Sequence, residues 1–147
     1  MLEDILSICR EDLHLFLEAG IMLTERQRDA EAEKLITSAK ILAPDSIVPD
    51  LCFGHFAMQR MQFSAAICVL NRVLKKEPEH PLAMAMVGLC LAFSPQTQKV
   101  GREMLESVQE KTDDRDVLRM CEMASAWIKT DNRFKKSKSI LIPGSEK

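Results

Sequence analysis

Residues 47–80 read IVPDLCFGHFAMQRMQFSAAICVLNRVLKKEPEH, and this stretch decides the fold. Its two segments, 47–60 and 63–76, are predicted as helices, and a short turn separates them. Gly54 and Ala66 are small enough to let two helices cross closely. The stretch therefore predicts an antiparallel pair of helices with a tight crossing.

The same features recur at an interval of 34 residues. The glycines, alanines and prolines that keep this interval are Gly20, Gly54 and Gly88, then Ala32 and Ala66, then Pro44 and Pro78. Proline lacks the amide hydrogen that a helix donates, so each proline closes one unit. An interval of this length is typical of like helical units that stack on one another. We predict units near residues 13–46, 47–80 and 81–114.

Over residues 13–78 the unit resembles the tetratricopeptide repeat (TPR), a helix–turn–helix motif of the same length. The residues that match its pattern are Phe16, Ala19, Gly20, Leu23, Ala32, Ile36, Ala39 and Pro44, then Phe53, Gly54, Ala57, Ala66, Leu70, Val73 and Pro78. The third unit fits if one residue is inserted before its second helix, so that Gly101, Leu105 and Val108 take the small, large and small places. The resemblance implies an all-α TPR helical solenoid of about three repeats.

Further helices are predicted on both sides of the units. One runs from residue 2 to about residue 10. A capping helix at 115–129 has an apolar stripe able to cover the open end of the stack, made of Val117, Leu118, Cys121, Ala124 and Trp127. The helices between them are predicted at 12–25, 30–43, 47–60, 63–76, 81–93 and 98–110. Residues 1–130 are thus predicted to form a single domain. Residues 131–147 are mostly polar and basic, apart from the apolar run at 140–143, and we expect a flexible tail there.

Composition narrows the classes of function. The chain is 46% apolar and 29% charged, as globular proteins are, and its net charge of −2 gives no basic face for nucleic acid. No run of about 18 apolar residues could insert in a membrane, and the acidic N-terminus does not resemble a secretory signal. Five widely spaced cysteines without a C-x-x-C pair are typical of free thiols in a reducing compartment. We therefore expect a cytoplasmic protein.

The sequence offers little chemistry. It contains no nucleophile-elbow, zinc-protease or phosphate-loop motif. Cys52 and His55 lie three residues apart on one predicted helix, a spacing compatible with a dyad or half a metal site. Neither a third ligand nor an orienting carboxylate accompanies them, and Cys52 also fits as a small packing residue. We expect no enzymatic activity, no cofactor and no metal.

The TPR resemblance implies that the first helix of each unit lines a concave groove. The residues assigned to this predicted groove are Leu17, Ile21, Val48, Leu51, His55, Met58, Leu82, Ala85, Leu89 and Phe93. Most of them are apolar, and the basic clamp with which some TPR domains hold acidic chaperone tails is absent. An apolar groove favours a partner's amphipathic helix. Coverage by the N-terminal helix, the tail or a second copy of the chain is the alternative.

A short TPR array with an extra helix at each end and an apolar groove resembles the TPR-type chaperones of bacterial type III secretion. Residues 61–66, MQFSAA, resemble the repeat of the branch that holds the needle subunit. This resemblance implies a non-catalytic chaperone that sequesters an apolar helix of that subunit and prevents premature polymerisation, with a co-chaperone and a homodimer left open. A class II chaperone for translocators and a self-associating TPR scaffold are the alternatives.

Overall fold

The computed structural model describes residues 18–140, with side chains for residues 18–132. It is helical throughout, and no strand occurs in this part of the chain. The helices are α1 (18–25), α2 (Asp29–Leu42), α3 (Val48–Gln59), α4 (Phe63–Lys76), α5 (Pro81–Ala92), α6 (Gln98–Lys111) and α7 (Arg115–Ile140). The predicted all-α class is confirmed. The helix predicted at 2–10 lies outside the described residues.

The last helix differs from its prediction. Helices α1 to α6 agree with the predicted segments to within one residue at every described end, but α7 continues to Ile140. The predicted end at residue 129 was wrong because neither glycine nor proline interrupts the sequence between Arg115 and Ile140. Basic residues near a helix C-terminus also interact favourably with its dipole. The flexibility of residues 131–147 and the domain bounds stay predictions.

The helices pack in the order of the chain. Each helix from α2 to α7 contacts the next one, and the odd-numbered helices α3, α5 and α7 also contact one another in sequence. These three helices therefore form one continuous layer, and the even-numbered helices pack behind it. The N-terminus of α7 is fixed by Asp114, whose Oδ1 accepts hydrogen bonds from the backbone N–H groups of Asp116 and Val117 at 2.9 and 3.2 Å.

The 34-residue interval is present in the packing. A Cβ atom placed on Gly20 would lie 3.1 Å from Ile36, one on Gly54 2.7 Å from Leu70, and one on Gly88 3.1 Å from Leu105. The residues of the second helices that pack at these crossings are all buried: Ala32, Ile36 and Ala39, Ala66, Leu70 and Val73, and Gly101, Leu105 and Val108. Each of the three glycines thus lies close to a large side chain of the following helix, and the residues packed there in the third pair include Gly101, Leu105 and Val108.

Two turns repeat with the same interval. Gln27 and Met61 both have φ of 59°, a left-handed conformation that L-residues seldom adopt. After each of them, the next residue donates a backbone hydrogen bond to the carbonyl five residues back, at 2.9 Å in both turns. This pattern is a Schellman helix end. Pro44 and Pro78 each stand two residues beyond a helix, where they were predicted to close the units.

A buried carboxylate joins three helices. Asp50, in the first turn of α3, is almost fully buried, and its two oxygens accept hydrogen bonds from Lys40 Nζ at 3.0 Å and Arg72 Nη2 at 3.4 Å. Because Lys40 belongs to α2 and Arg72 to α4, one carboxylate holds both neighbours of α3. A buried charge is tolerated only with such partners.

Candidate functional site

An apolar hollow of about 430 Å³ lies between α5 and α7. Its lining comes from the end of α5 and the middle of α7: Leu89, Phe93, Asp116, Arg119, Met120, Met123, Ala124 and Trp127. We call this cleft the apolar hollow. The two charged residues, Asp116 and Arg119, come from the first turns of α7, so the remainder of the lining is a continuous apolar surface.

Helical spacing explains why these side chains converge. Met120, Met123 and Trp127 are three and four residues apart, so they project from the same face of α7. Leu89 and Phe93 are four apart at the end of α5 and face them across the hollow. The adjoining face of α7 is buried against α5 and α6 through Val117, Cys121 and Ile128, and Ala124 lies where the two faces meet.

The apolar hollow is unusually exposed for its composition. Met123 is 68% exposed, Trp127 38% and Phe93 37%. Large apolar side chains this exposed and this close together are uncommon on a protein that acts alone, because removing them from water is favourable. Methionine side chains are flexible and polarisable, so they adapt to partners of different shapes. The hollow is thus suited to bind another apolar surface.

Three aromatic rings form a row at the edge of the hollow. The ring centroids of Phe63 and Phe93 are 4.6 Å apart with an interplanar angle of 10°, and those of Phe93 and Trp127 are also 4.6 Å apart, at 38°. The row connects the start of α4, the end of α5 and the middle of α7. Such contacts stabilise neighbouring aromatics by about 0.5–1.5 kcal/mol beyond their burial, so Trp127 has a defined position although it is partly exposed.

A second hollow, of about 570 Å³, lies on the other side of α7, against α6. We call it the polar hollow. Its lining is dominated by charged and polar side chains: Arg102, Glu106, Gln109, Glu122, Ser125, Lys129, Thr130 and Asn132, with Ala126 and Ile128. Water solvates such a surface well, so it needs no cover. The two sides of one helix thus differ in what they can bind.

The predicted groove residues fall into several settings. Leu89 and Phe93 line the apolar hollow. Leu82 is partly buried against two core clusters, and Ala85 is 0% exposed, so Ala85 offers no surface to a partner in this conformation. The packing of α7 over α5 is the cause, because the sequence alone does not say how closely the capping helix approaches.

The other predicted groove residues lie toward the N-terminal end. Leu51 and Met58 are partly buried and pack against the core of α3, α4 and α5, and Ile21 packs against the core of α2 and α3. Val48 is exposed and His55 is partly buried. Leu17 lies outside the described residues. Their role in partner binding stays a prediction.

Sequence reasoning missed the side of the hollow that α7 supplies. Met120 and Met123 were not assigned a role, and Trp127 was assigned to the stripe that covers the stack. The spacing of Met120, Met123 and Trp127 did indicate a second apolar face on α7. A helix with two apolar faces cannot bury both against a single neighbour.

Cys52 and His55 show the properties of packing residues. Burial raises the pKa of the Cys52 thiol to about 11, so the thiol is protonated at neutral pH. Burial also lowers the pKa of His55, although the nearby Glu25 carboxylate acts in the opposite direction. A protonated thiol beside a neutral imidazole is not an activated nucleophile. Within the described residues, no three His, Cys, Asp or Glu side chains cluster as a metal site would require.

The fold and the apolar hollow define the chain as an all-α protein with an open apolar cleft. It belongs to the bacterial type III secretion protein family (HrpB1_HrpK), whose model matches residues 4–126. The predicted association with type III secretion is therefore confirmed. No curated protein and no solved structure matches the chain. Among the described helices, none is both long enough and apolar enough to cross a membrane.

Proposed function

We propose that this protein is a non-catalytic TPR-type chaperone of type III secretion that binds an apolar amphipathic helix of a secreted subunit in the apolar hollow. The observation that carries the proposal is the exposure of Phe93, Met123 and Trp127 in one cleft. Membership of a type III secretion family supports a secreted subunit as the partner. The recurrence of the glycine contacts at the TPR interval supports the repeat assignment.

The mechanism is steric. A guest helix that fills the hollow removes its own assembly surface from water, and burial stabilises the complex by roughly 25 cal/mol per Å² of apolar surface, less the cost of ordering the guest. The needle subunit is the guest we favour, since such a subunit would polymerise once its apolar helix is free. The chaperone meets this guest before export, so the proposal includes a cytoplasmic location, which fractionation of cells checks.

A matched pair of variants tests the site. Met123→Glu places a charge in the hollow, whereas Val100→Glu places one at an apolar residue on α6, 54% exposed and outside the hollow lining. Both should retain the helical circular dichroism of the wild type. The needle subunit should co-purify with Val100→Glu and not with Met123→Glu. Equal binding by both variants would show that the hollow is not the site.

Two further measurements separate the needle chaperone from the alternatives. Added in equimolar amount, the pure protein should suppress needle polymerisation, as light scattering measures. Retention of a translocator without any effect on needle polymerisation would instead favour the class II chaperone. Sedimentation of the pure protein tests the scaffold alternative, which requires self-association that Met123→Glu abolishes.

A further inference from the structure

Helix α7 is about twice as long as the helices beside it. Its 26 residues span about 39 Å, against 12 residues in α5 and 14 in α6. Phe93, at the end of α5, contacts Trp127, and Asn132 borders a hollow with Gln98 at the start of α6. Residues 133–140 continue the helix by eight residues, or about 12 Å, beyond Asn132. We call these eight residues the basic segment.

The charge of α7 changes abruptly at this point. Residues 115–132 hold three basic and three acidic residues, so their net charge is zero. The basic segment holds Arg133, Lys135, Lys136 and Lys138 and no acidic residue, which gives a charge of +4 in eight residues. At 100° per residue these four positions are distributed around the helix axis rather than gathered at one side. Like charges this close repel one another unless an anion lies nearby.

The apolar hollow and the basic segment follow each other along one helix. The hollow lining extends along α7 from Asp116 to Trp127, about 16 Å, and the basic segment begins about 9 Å further on. A guest helix that lies in the hollow along α7 reaches the basic segment if it extends about 9 Å, or about two turns, beyond Trp127. It runs beside the whole segment if it extends about 20 Å, or about four turns, beyond Trp127. Its residues there would run beside a helical stretch with a net charge of +4.

We propose that the guest of the apolar hollow is an amphipathic helix with acidic residues beyond one end of its apolar stripe, and that the basic segment of α7 binds those residues. The inference rests on the proposed function and adds the chemistry of the guest. Apolar burial holds the stripe, and charge complementarity selects the guest and sets its direction. Exposed ion pairs are individually weak, so four of them strengthen binding by only about tenfold.

Synthetic peptides test this selection directly. Three tryptophan-free peptides of about 24 residues share one amphipathic stripe and carry four glutamates after it, four glutamates before it, or four glutamines. Because the chain has a single tryptophan and no tyrosine, the fluorescence of Trp127 reports occupancy of the hollow without a label. At about 50 mM salt, one glutamate peptide should bind about tenfold tighter than the glutamine peptide.

The control protein carries R133Q, K135Q, K136Q and K138Q, which remove the charge of the basic segment and leave the hollow unchanged. The preference for the glutamate peptide should disappear in this variant and at about 0.5 M salt, where the Debye length is only a few Å. A preference that survives the four substitutions would overturn the proposal, and so would equal affinity for all three peptides.

Two outcomes distinguish this inference from the proposed function. If none of the peptides changes the Trp127 signal, or if Met123→Glu binds them as well as the wild type, the hollow itself is not a binding site. If the peptides bind with equal affinity and the four substitutions instead abolish binding of the full chain to phosphatidylglycerol vesicles, the basic segment serves an anionic membrane and the acidic-guest proposal is wrong.

Discussion

The second and third helix pairs, α3–α4 and α5–α6, solve the same packing problem in different ways. In the second pair, Gly54 makes room for the side chain of Leu70 on the facing helix. In the third pair, two glycines meet, and a Cβ atom on Gly101 would lie 2.5 Å from the carbonyl oxygen of Gly88. The crossing in the second pair is therefore a side chain against a backbone, whereas that in the third is two backbones in contact.

The two helix pairs also differ in the length of the loop that joins their helices. Residues 60–62 join α3 to α4, whereas the longer loop 93–97 joins α5 to α6. Thr97 Oγ1 closes this longer loop by donating a hydrogen bond to the Leu91 carbonyl at 2.7 Å. An interval of 34 residues from Ala66 leads to Val100, which is exposed. Because the longer loop adds one residue, the small residue that packs against α5 is Gly101, which is buried. The comparison shows that the contact between the helices is kept even where the sequence interval is not.

The largest effect is expected where the backbones meet. Gly101→Ala places a Cβ atom 2.5 Å from Gly88 O and 2.7 Å from the backbone nitrogen of Ala92, and neither atom can turn aside. We expect a loss of about 3 kcal/mol in the free energy of unfolding, the upper end for overpacking, measured by urea denaturation with circular dichroism. Val100→Ala, on the exposed neighbouring residue, is the control and should change little.

A smaller loss is expected in the second pair. In Gly54→Ala the new methyl group meets the side chain of Leu70 at 2.7 Å, which can shift partly, and alanine favours the helix by about 1 kcal/mol over glycine. The net loss should be about 1–2 kcal/mol in the same urea experiment. Gly20→Ala, whose nearest contact is 3.1 Å, should be close to neutral. A reversed order of these three glycine variants would contradict the packing that distinguishes the pairs.

The turn of the second pair should be improvable. Met61 adopts φ of 59° and is mostly exposed, so Met61→Gly relieves backbone strain without loss of core packing. We expect a gain of roughly 1 kcal/mol in thermal or urea unfolding. Gln59→Gly, at the last residue of α3, should instead lose up to about 1 kcal/mol. A gain in both variants would show that helix α3 ends earlier than the structure has it.

The smallest effect concerns pH. His55 in α3 occupies the position of Leu89 in α5, 34 residues later, and burial lowers the pKa of His55. Above the unfolded pKa of about 6.5 the imidazole is neutral in both states. As the pH falls below that value, the unfolded chain binds the proton first and stability decreases until the folded pKa is reached. Between pH 7.5 and pH 5.5 the urea midpoint of His55→Leu should therefore fall less than that of the wild type. This difference in pH dependence is expected whatever the effect of the substitution on stability at pH 7.5.

The regular part of this fold could be predicted because its information is local. Spacing fixes which face of a helix carries Gly54 or Ala66, and this was sufficient to predict the pairs and the inserted residue before Gly101. The angle at which α7 meets α5 depends on side chains from three helices at once. For this reason the burial of Ala85 and the exposure of Met123 could not be predicted from periodicity, and only Leu89 and Phe93 of the hollow were predicted.

Three buried cysteines can report the order in which the helices of the layer unfold. Cys52, Cys90 and Cys121 lie on the consecutive layer helices α3, α5 and α7, and each thiol is buried. Burial raises the pKa of each of them, so alkylating reagents reach a reactive thiolate only when the helix around it opens. The rate at which each of these thiols is alkylated therefore reports how often its own layer helix opens. If the three thiols are modified at the same rate, the array unfolds as one unit. If they are modified one after another along the chain, the array unfolds from one end.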